Sequence, residues 1–161
     1  MQIRNRFNYT SFFLRLAIGI PYLWFAADRL GFLGPPGSPH VGWGDWPHFL
    51  QYAAQVMSFL PAHVIPIFAI LATIGEFSFG LLLVFGLFTR QAAIGSGLLS
   101  FLFACSMAIS FGIESPLGYS VFTVSAASFL LAAIPEYKWS IDAWMGKTTR
   151  DKSPQIRQAG Q

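Results

Sequence analysis

Charge is the scarcest commodity in this 161-residue chain: Asp, Glu, Lys and Arg together make up 11% of it, against 54% hydrophobic residues. Soluble domains carry about 25% charged residues, so a water-exposed surface cannot be built from this composition. Cysteine is nearly absent. The single Cys105 excludes an intrachain disulfide, a C-x-x-C redox pair and a Cys-rich metal site. Histidine is confined to His40, His48 and His63, all in one loop, so no pair inside a helix can ligate a haem. Their separations match no compact metal motif, and no metal site is expected. Phosphate loop, nucleophile elbow and dinucleotide fingerprint are all missing. The net charge of +3 comes from basic residues gathered near the two ends of the chain, which membrane topology explains; nucleic-acid binding is not implied.

What is present is apolar sequence in four blocks, and the lipid bilayer is its expected environment. They cover about residues 11–33, 64–88, 91–112 and 117–134. The fold class expected is all-α: a four-transmembrane-helix bundle forming one domain over residues 1–148, followed by a polar, disordered cytoplasmic tail at 149–161. Arg4 and Arg6 precede the first block, Arg90 separates the second from the third, and Lys138, Lys147, Arg150, Lys152 and Arg157 follow the fourth. With four spans these groups share one side, so both termini are expected in the cytoplasm of an inner (cell) membrane protein. Cleavage of the first block after Ala27 would put Phe25 at −3, where a small residue is required, so the block reads as a retained helix.

The loop between the first two blocks is long. Gly34-Pro35-Pro36-Gly37-Ser38-Pro39 excludes regular structure. Beyond it, Asp45 is a candidate N-cap and Pro47 fits a first turn. Trp46, Phe49, Leu50, Ala53, Met57 and Leu60 then recur at helical spacing, as in an amphipathic helix lying in the outer membrane interface with Trp43 and Trp46 at headgroup depth.

Glu76 is the only ionisable residue among the 22 from Ile67 to Phe88. A carboxylate at mid-membrane costs about 3 kcal/mol or more, so it marks a bundle interior and a candidate functional site. At about 1.5 Å per residue it lies about 20 Å from the cytoplasmic end. Cys105, Ser106 and Thr123 fall near that level, Tyr22 is slightly shallower, and Arg29 is within reach from farther out. Two readings are open: a polar pocket in which Glu76 exchanges protons with a bound small molecule, or a structural contact that fixes helix packing. Asp28 and Arg29 also suit an outer membrane boundary, where charge is tolerated. Arg15 is expected to snorkel to lipid phosphates. Pro21 bends the first helix, and Ser96, Ser100, Ala104 and Ala108 form a small-residue packing stripe.

Three stretches carry a family resemblance. One is Leu14-Arg15-Leu16, then Gly19, Trp24-Phe25 and Asp28-Arg29-Leu30. Another is Gly75-Glu76, Gly80-Leu81-Leu82-Leu83 and Gly86-Leu87-Phe88-Thr89-Arg90. The last is Pro135 followed by Trp139-Ser140-Ile141-Asp142. Together they resemble the DoxX family of small four-helix membrane proteins, with a longer outer loop than the minimal pattern. Some family members are subunits of quinone-linked oxidoreductases, including a thiosulfate:quinone oxidoreductase. The resemblance implies a membrane oxidoreductase subunit with Glu76 and Arg29 as candidate catalytic residues and Arg90 as a motif residue. On that reading Tyr22, Trp24, Phe25 and Thr123 are candidate substrate-binding residues. No covalently bound cofactor is expected, a quinone is the candidate ligand, and electrons come from a partner membrane or peripheral redox protein. The alternative is a non-enzymatic anchor or assembly subunit of a redox or stress-response complex.

Overall fold

The computed structural model describes residues 2–145, with side chains from Asn8 onward. The expected tail at 149–161 lies outside the described residues. Those described form helices and turns: α1 Gln2–Arg29, α2 Trp46–Val56, α3 Ile65–Phe85, α4 Thr89–Phe111, α5 Glu114–Gly118 and α6 Val121–Ala133, with a last helical stretch, α7, at 141–145. Among them three helices are long and apolar enough to cross a membrane: Asn8–Arg29, Ile65–Phe85 and Thr89–Phe111.

The expected helix at 117–134 is divided. α5 ends at Gly118, and Ser120 adopts a left-handed conformation (φ 56°) before α6 begins. What remains is a 13-residue helix, about 20 Å long. The first helix also stops at Arg29, where Gly31, at φ 83°, turns the chain.

The pattern of burial is inverted relative to a soluble protein. Buried positions on the long helices are small or polar, such as Ala26, Ala69, Ala93, Ser96, Ser100 and Ala104. Large apolar side chains, among them Ile20, Ile67, Leu71, Leu102 and Leu130, point outward. Small interior residues let helix backbones approach closely where lipid supplies no hydrophobic drive. Gly19 on α1 is an instance: a Cβ there would lie 2.9 Å from the carbonyl oxygen of Gly80 on α3. Ser125 Oγ donates to Gly97 O at 2.8 Å, and the Ser96 and Ser128 hydroxyls meet at 3.2 Å, joining α4 to α6. The pairings run antiparallel for α1 with α3 and for α4 with α6, so the four helices alternate in direction.

Both described ends of the chain meet at one end of this arrangement, and Arg15 is the knot. It is 1% exposed and does not snorkel. Nε donates to Leu83 O (3.0 Å), Nη2 to Val84 O (3.3 Å) and Trp139 O (3.1 Å), and Nη1 to Lys138 O (3.4 Å). The carbonyls ending α3 have no intrahelical donors, and a guanidinium with five N–H groups supplies them. Gly86, at φ 68°, ends α3 directly against this guanidinium. Asp142 completes the junction: its carboxylate accepts the N–H groups of Phe88 and Thr89, each at 2.8 Å, and so caps the N-terminus of α4 from a distant segment.

The opposite end is covered by the long loop. Asp45 caps α2 by accepting His48 N–H at 2.8 Å, and Pro47 stands in the first turn. That bond, with the His48 ring, holds the Asp45 carboxyl below its ordinary range. Phe49, Ala53 and Val56 are the buried face of α2, and Phe49 and Ala53 pack with Ile65 and Ala69 of α3. The apolar face of α2 is therefore turned onto the protein.

Candidate functional site

Between the two apolar clusters, one near each end, lies a polar belt. Helical spacing creates it. Tyr22, Ala26 and Arg29 stand at i, i+4 and i+7 on α1, as Ala69, Thr73 and Glu76 do on α3, so each set lines one face. All six side chains are buried.

Arg29 Nη2 lies 2.6 Å from Glu76 Oε2, with the side chains 2% and 8% exposed. The guanidinium N–H is poorly aligned with Oε2, which has no hydrogen-bond partner despite this contact. Nη1 donates to Thr73 Oγ1 at 3.0 Å and Nε to Phe25 O at 3.0 Å. Thr73 donates its own hydroxyl proton to Ala69 O at 2.8 Å. The cation also stacks beside rings, 4.0 Å from the Phe49 centroid and 5.2 Å from that of Trp43. Arg29, the last residue of α1, is thus enclosed from three elements.

Asp28 explains how the loop stays over the pair. Its Oδ2 accepts Gly42 N–H (3.1 Å) and Trp43 N–H (2.9 Å), and its Oδ1 accepts Gly44 N–H (3.3 Å). Three consecutive amides aimed at one carboxylate form an anion-holding nest. Asp28 is 1% exposed, and the bonds bring Trp43 to Arg29. The sequence carries a trace of this arrangement in Gly42-Trp43-Gly44, two glycines flanking a bulky residue after a proline-rich run.

The remaining candidates divide. Tyr22 joins the belt: its hydroxyl lies 2.6 Å from Ser100 Oγ, donates within 3.1 Å of Ser96 O, and receives Ser96 Oγ at 3.2 Å. Continuing to Ser128, these hydroxyls satisfy one another across α1, α4 and α6. Ser96 and Ser100 are thus more than a packing stripe. Trp24 and Phe25 are 50% and 46% exposed on the outer face of α1; Phe25 reaches the site through its carbonyl and a 5.9 Å ring contact with Trp43. Thr123 is exposed on α6, whose inward hydroxyls are Ser125 and Ser128. Arg90 is exposed at the start of α4, far from Glu76 in the helix register. No group of three or more His, Cys, Asp or Glu able to hold a metal ion occurs among the described residues.

Residues 9–157 match the family described as "TQO small subunit DoxD", which is related to DoxX. The chain belongs to the DoxD family. That membership and the apolar helices make this DoxD chain a membrane protein and, in general terms, a membrane oxidoreductase subunit. No curated protein and no solved structure shows significant similarity to it.

Proposed function

We propose that this DoxD chain is the membrane subunit of a quinone-linked oxidoreductase in which Glu76, held by Arg29, exchanges protons with a lipophilic substrate. The observation that carries the reading is the buried 2.6 Å ion pair on a helix of membrane-spanning length. Quinone reduction consumes protons that no apolar side chain can deliver. Electrons arrive from a partner protein, as the description of the family as a small subunit suggests. Glu76→Gln preserves size and hydrogen bonding while removing ionisation. General acid–base groups contribute about 10²–10⁴-fold to rate. Quinone-linked turnover of the reconstituted complex is therefore expected to fall at least about a hundredfold, with insertion and yield unchanged. Unchanged turnover would remove the proton role. It would favour the second reading, a non-enzymatic anchor, which draws support from the fact that Arg29 is wholly engaged by Thr73, Phe25 and the two rings.

The same proposal includes four crossings, with α5 and α6 together making the last, and α2 lying against the outer interface. Lys and Arg cluster at the end where Arg15 meets Trp139, so that end faces the cytoplasm. A reporter fused after Gln161 and one inserted within residues 35–39 are expected to read opposite sides of the membrane, the first cytoplasmic. Both reading the same side would end the four-crossing arrangement.

A further inference from the structure

The buried pair has a neighbour that opens outward. A groove of about 420 Å³ is lined by Leu30 after α1, Trp46 at the start of α2, and Ile70, Thr73, Ile74, Phe77 and Ser78 of α3. Small-molecule sites occupy about 300–1,000 Å³, mostly apolar with a few placed polar groups. The α3 residues follow at i, i+3, i+4, i+7 and i+8, one continuous helix face. Leu30, Ile74 and Phe77 are about half exposed, so the groove opens sideways, toward the bilayer. The groove offers two hydroxyls. Thr73 is the one lining residue that also touches the ion pair, through Arg29 Nη1. The Ser78 hydroxyl has no hydrogen-bond partner among the described residues. In the interior belt Tyr22, Ser96, Ser100 and Ser128 bond to one another.

We propose that this groove seats the ring of a lipophilic quinone-type molecule entering sideways from the bilayer, with Thr73 linking it to Arg29 and, through Arg29, to Glu76. The proposal rests on the quinone-linked reading above and gives it a location. The flat ring packs against Trp46 and Phe77, its tail leaves past Leu30 or Ile74 into lipid, and one carbonyl oxygen accepts from the Ser78 hydroxyl, because the proton of Thr73 is held by Ala69 O. An acyl chain would fill the apolar walls but leave the Ser78 hydroxyl unused, which sets the two occupants apart.

The test uses the full chain in lipid nanodiscs and a photoreactive azidobenzoquinone with a decyl tail, adducts being mapped by mass spectrometry. Labelling is expected to saturate, to fall on Trp46 or residues 70–78, and to be displaced by decyl-benzoquinone but not by decylbenzene. Ile74→Trp fills the groove from its lipid side and is expected to lower labelling about tenfold. Leu102→Trp, on the exposed face of α4, is expected to leave it unchanged. Native helicity and monodispersity in both variants exclude misfolding as the cause. Equal displacement by decylbenzene would make the groove an acyl-chain seat and overturn the proposal. So would non-saturating labelling, adducts outside the groove, or full labelling of Ile74→Trp. Groove labelling combined with unchanged turnover in Glu76→Gln would keep the site and remove only the proton role. Intact Glu76-dependent turnover with no groove labelling would do the reverse.

Discussion

Arg29→Ala is expected to destabilise the protein by about 3–5 kcal/mol, because it leaves the Glu76 carboxylate buried without its cation. Glu76→Gln in the same chain is expected to return a large part of that loss. The return cannot be complete. Alanine also removes the guanidinium from the Phe49 ring at 4.0 Å and its hydrogen bond from Thr73 Oγ1, and glutamine restores neither. The single changes should be unequal for the same reason. In the Glu76→Gln variant, Arg29 keeps Thr73, the Phe25 carbonyl and two aromatic faces. In the Arg29→Ala variant, the Glu76 carboxylate keeps no comparable partner. The double-mutant cycle, read as thermal stability in detergent, isolates the pairwise part. Strict additivity would mean that the 2.6 Å contact contributes nothing of its own. Arg29 would then stabilise only through its aromatic and hydroxyl neighbours, and Glu76 would be free of it in any chemistry.

The sequence announced Glu76 because an ionisable residue in a long apolar run is energetically conspicuous. Arg29 was within reach by helical rise alone. What pattern reading could not supply was the direction in which the loop folds. Asp28 and Arg29 look like boundary charges until three amides from residues 42–44 close on the former and two rings on the latter. These contacts reach across a stretch of irregular chain to which no periodicity applies. Depth also misled where azimuth mattered. Thr123 stands near the level of Glu76, but it and Trp24 are exposed on their helices, away from the buried Arg29–Glu76 pair. Tyr22, with the same uncertainty of depth, falls on the inner face and reaches Ser100. The break at Ser120 was masked by apolar residues on both sides, although Gly118, the last residue of α5, was a visible signal.

Arg15→Leu is expected to be the second large effect, and a different one. The substitution improves hydropathy in a membrane helix, so a boundary-anchor view forecasts little change or a gain. The geometry forecasts the opposite. Four carbonyl oxygens, of Leu83, Val84, Lys138 and Trp139, lose their donor. The bond to Leu83 O is buried and the other three are part-buried; a buried carbonyl left without a partner costs about 1–3 kcal/mol. Arg15→Lys should recover a minority of the loss, because a single ammonium cannot span carbonyls on two segments as a planar fork does. The damage should also be local. Arg15 ties the segment after α6 to the end of α3, and that segment carries Asp142, which caps α4. Tryptic cleavage after Lys138 is therefore expected to accelerate in Arg15→Leu well below its melting temperature, while Arg29→Ala leaves that rate unchanged at the same temperature. If Arg15→Leu keeps both native stability and native resistance at Lys138, the four bonds are idle and the capping role falls.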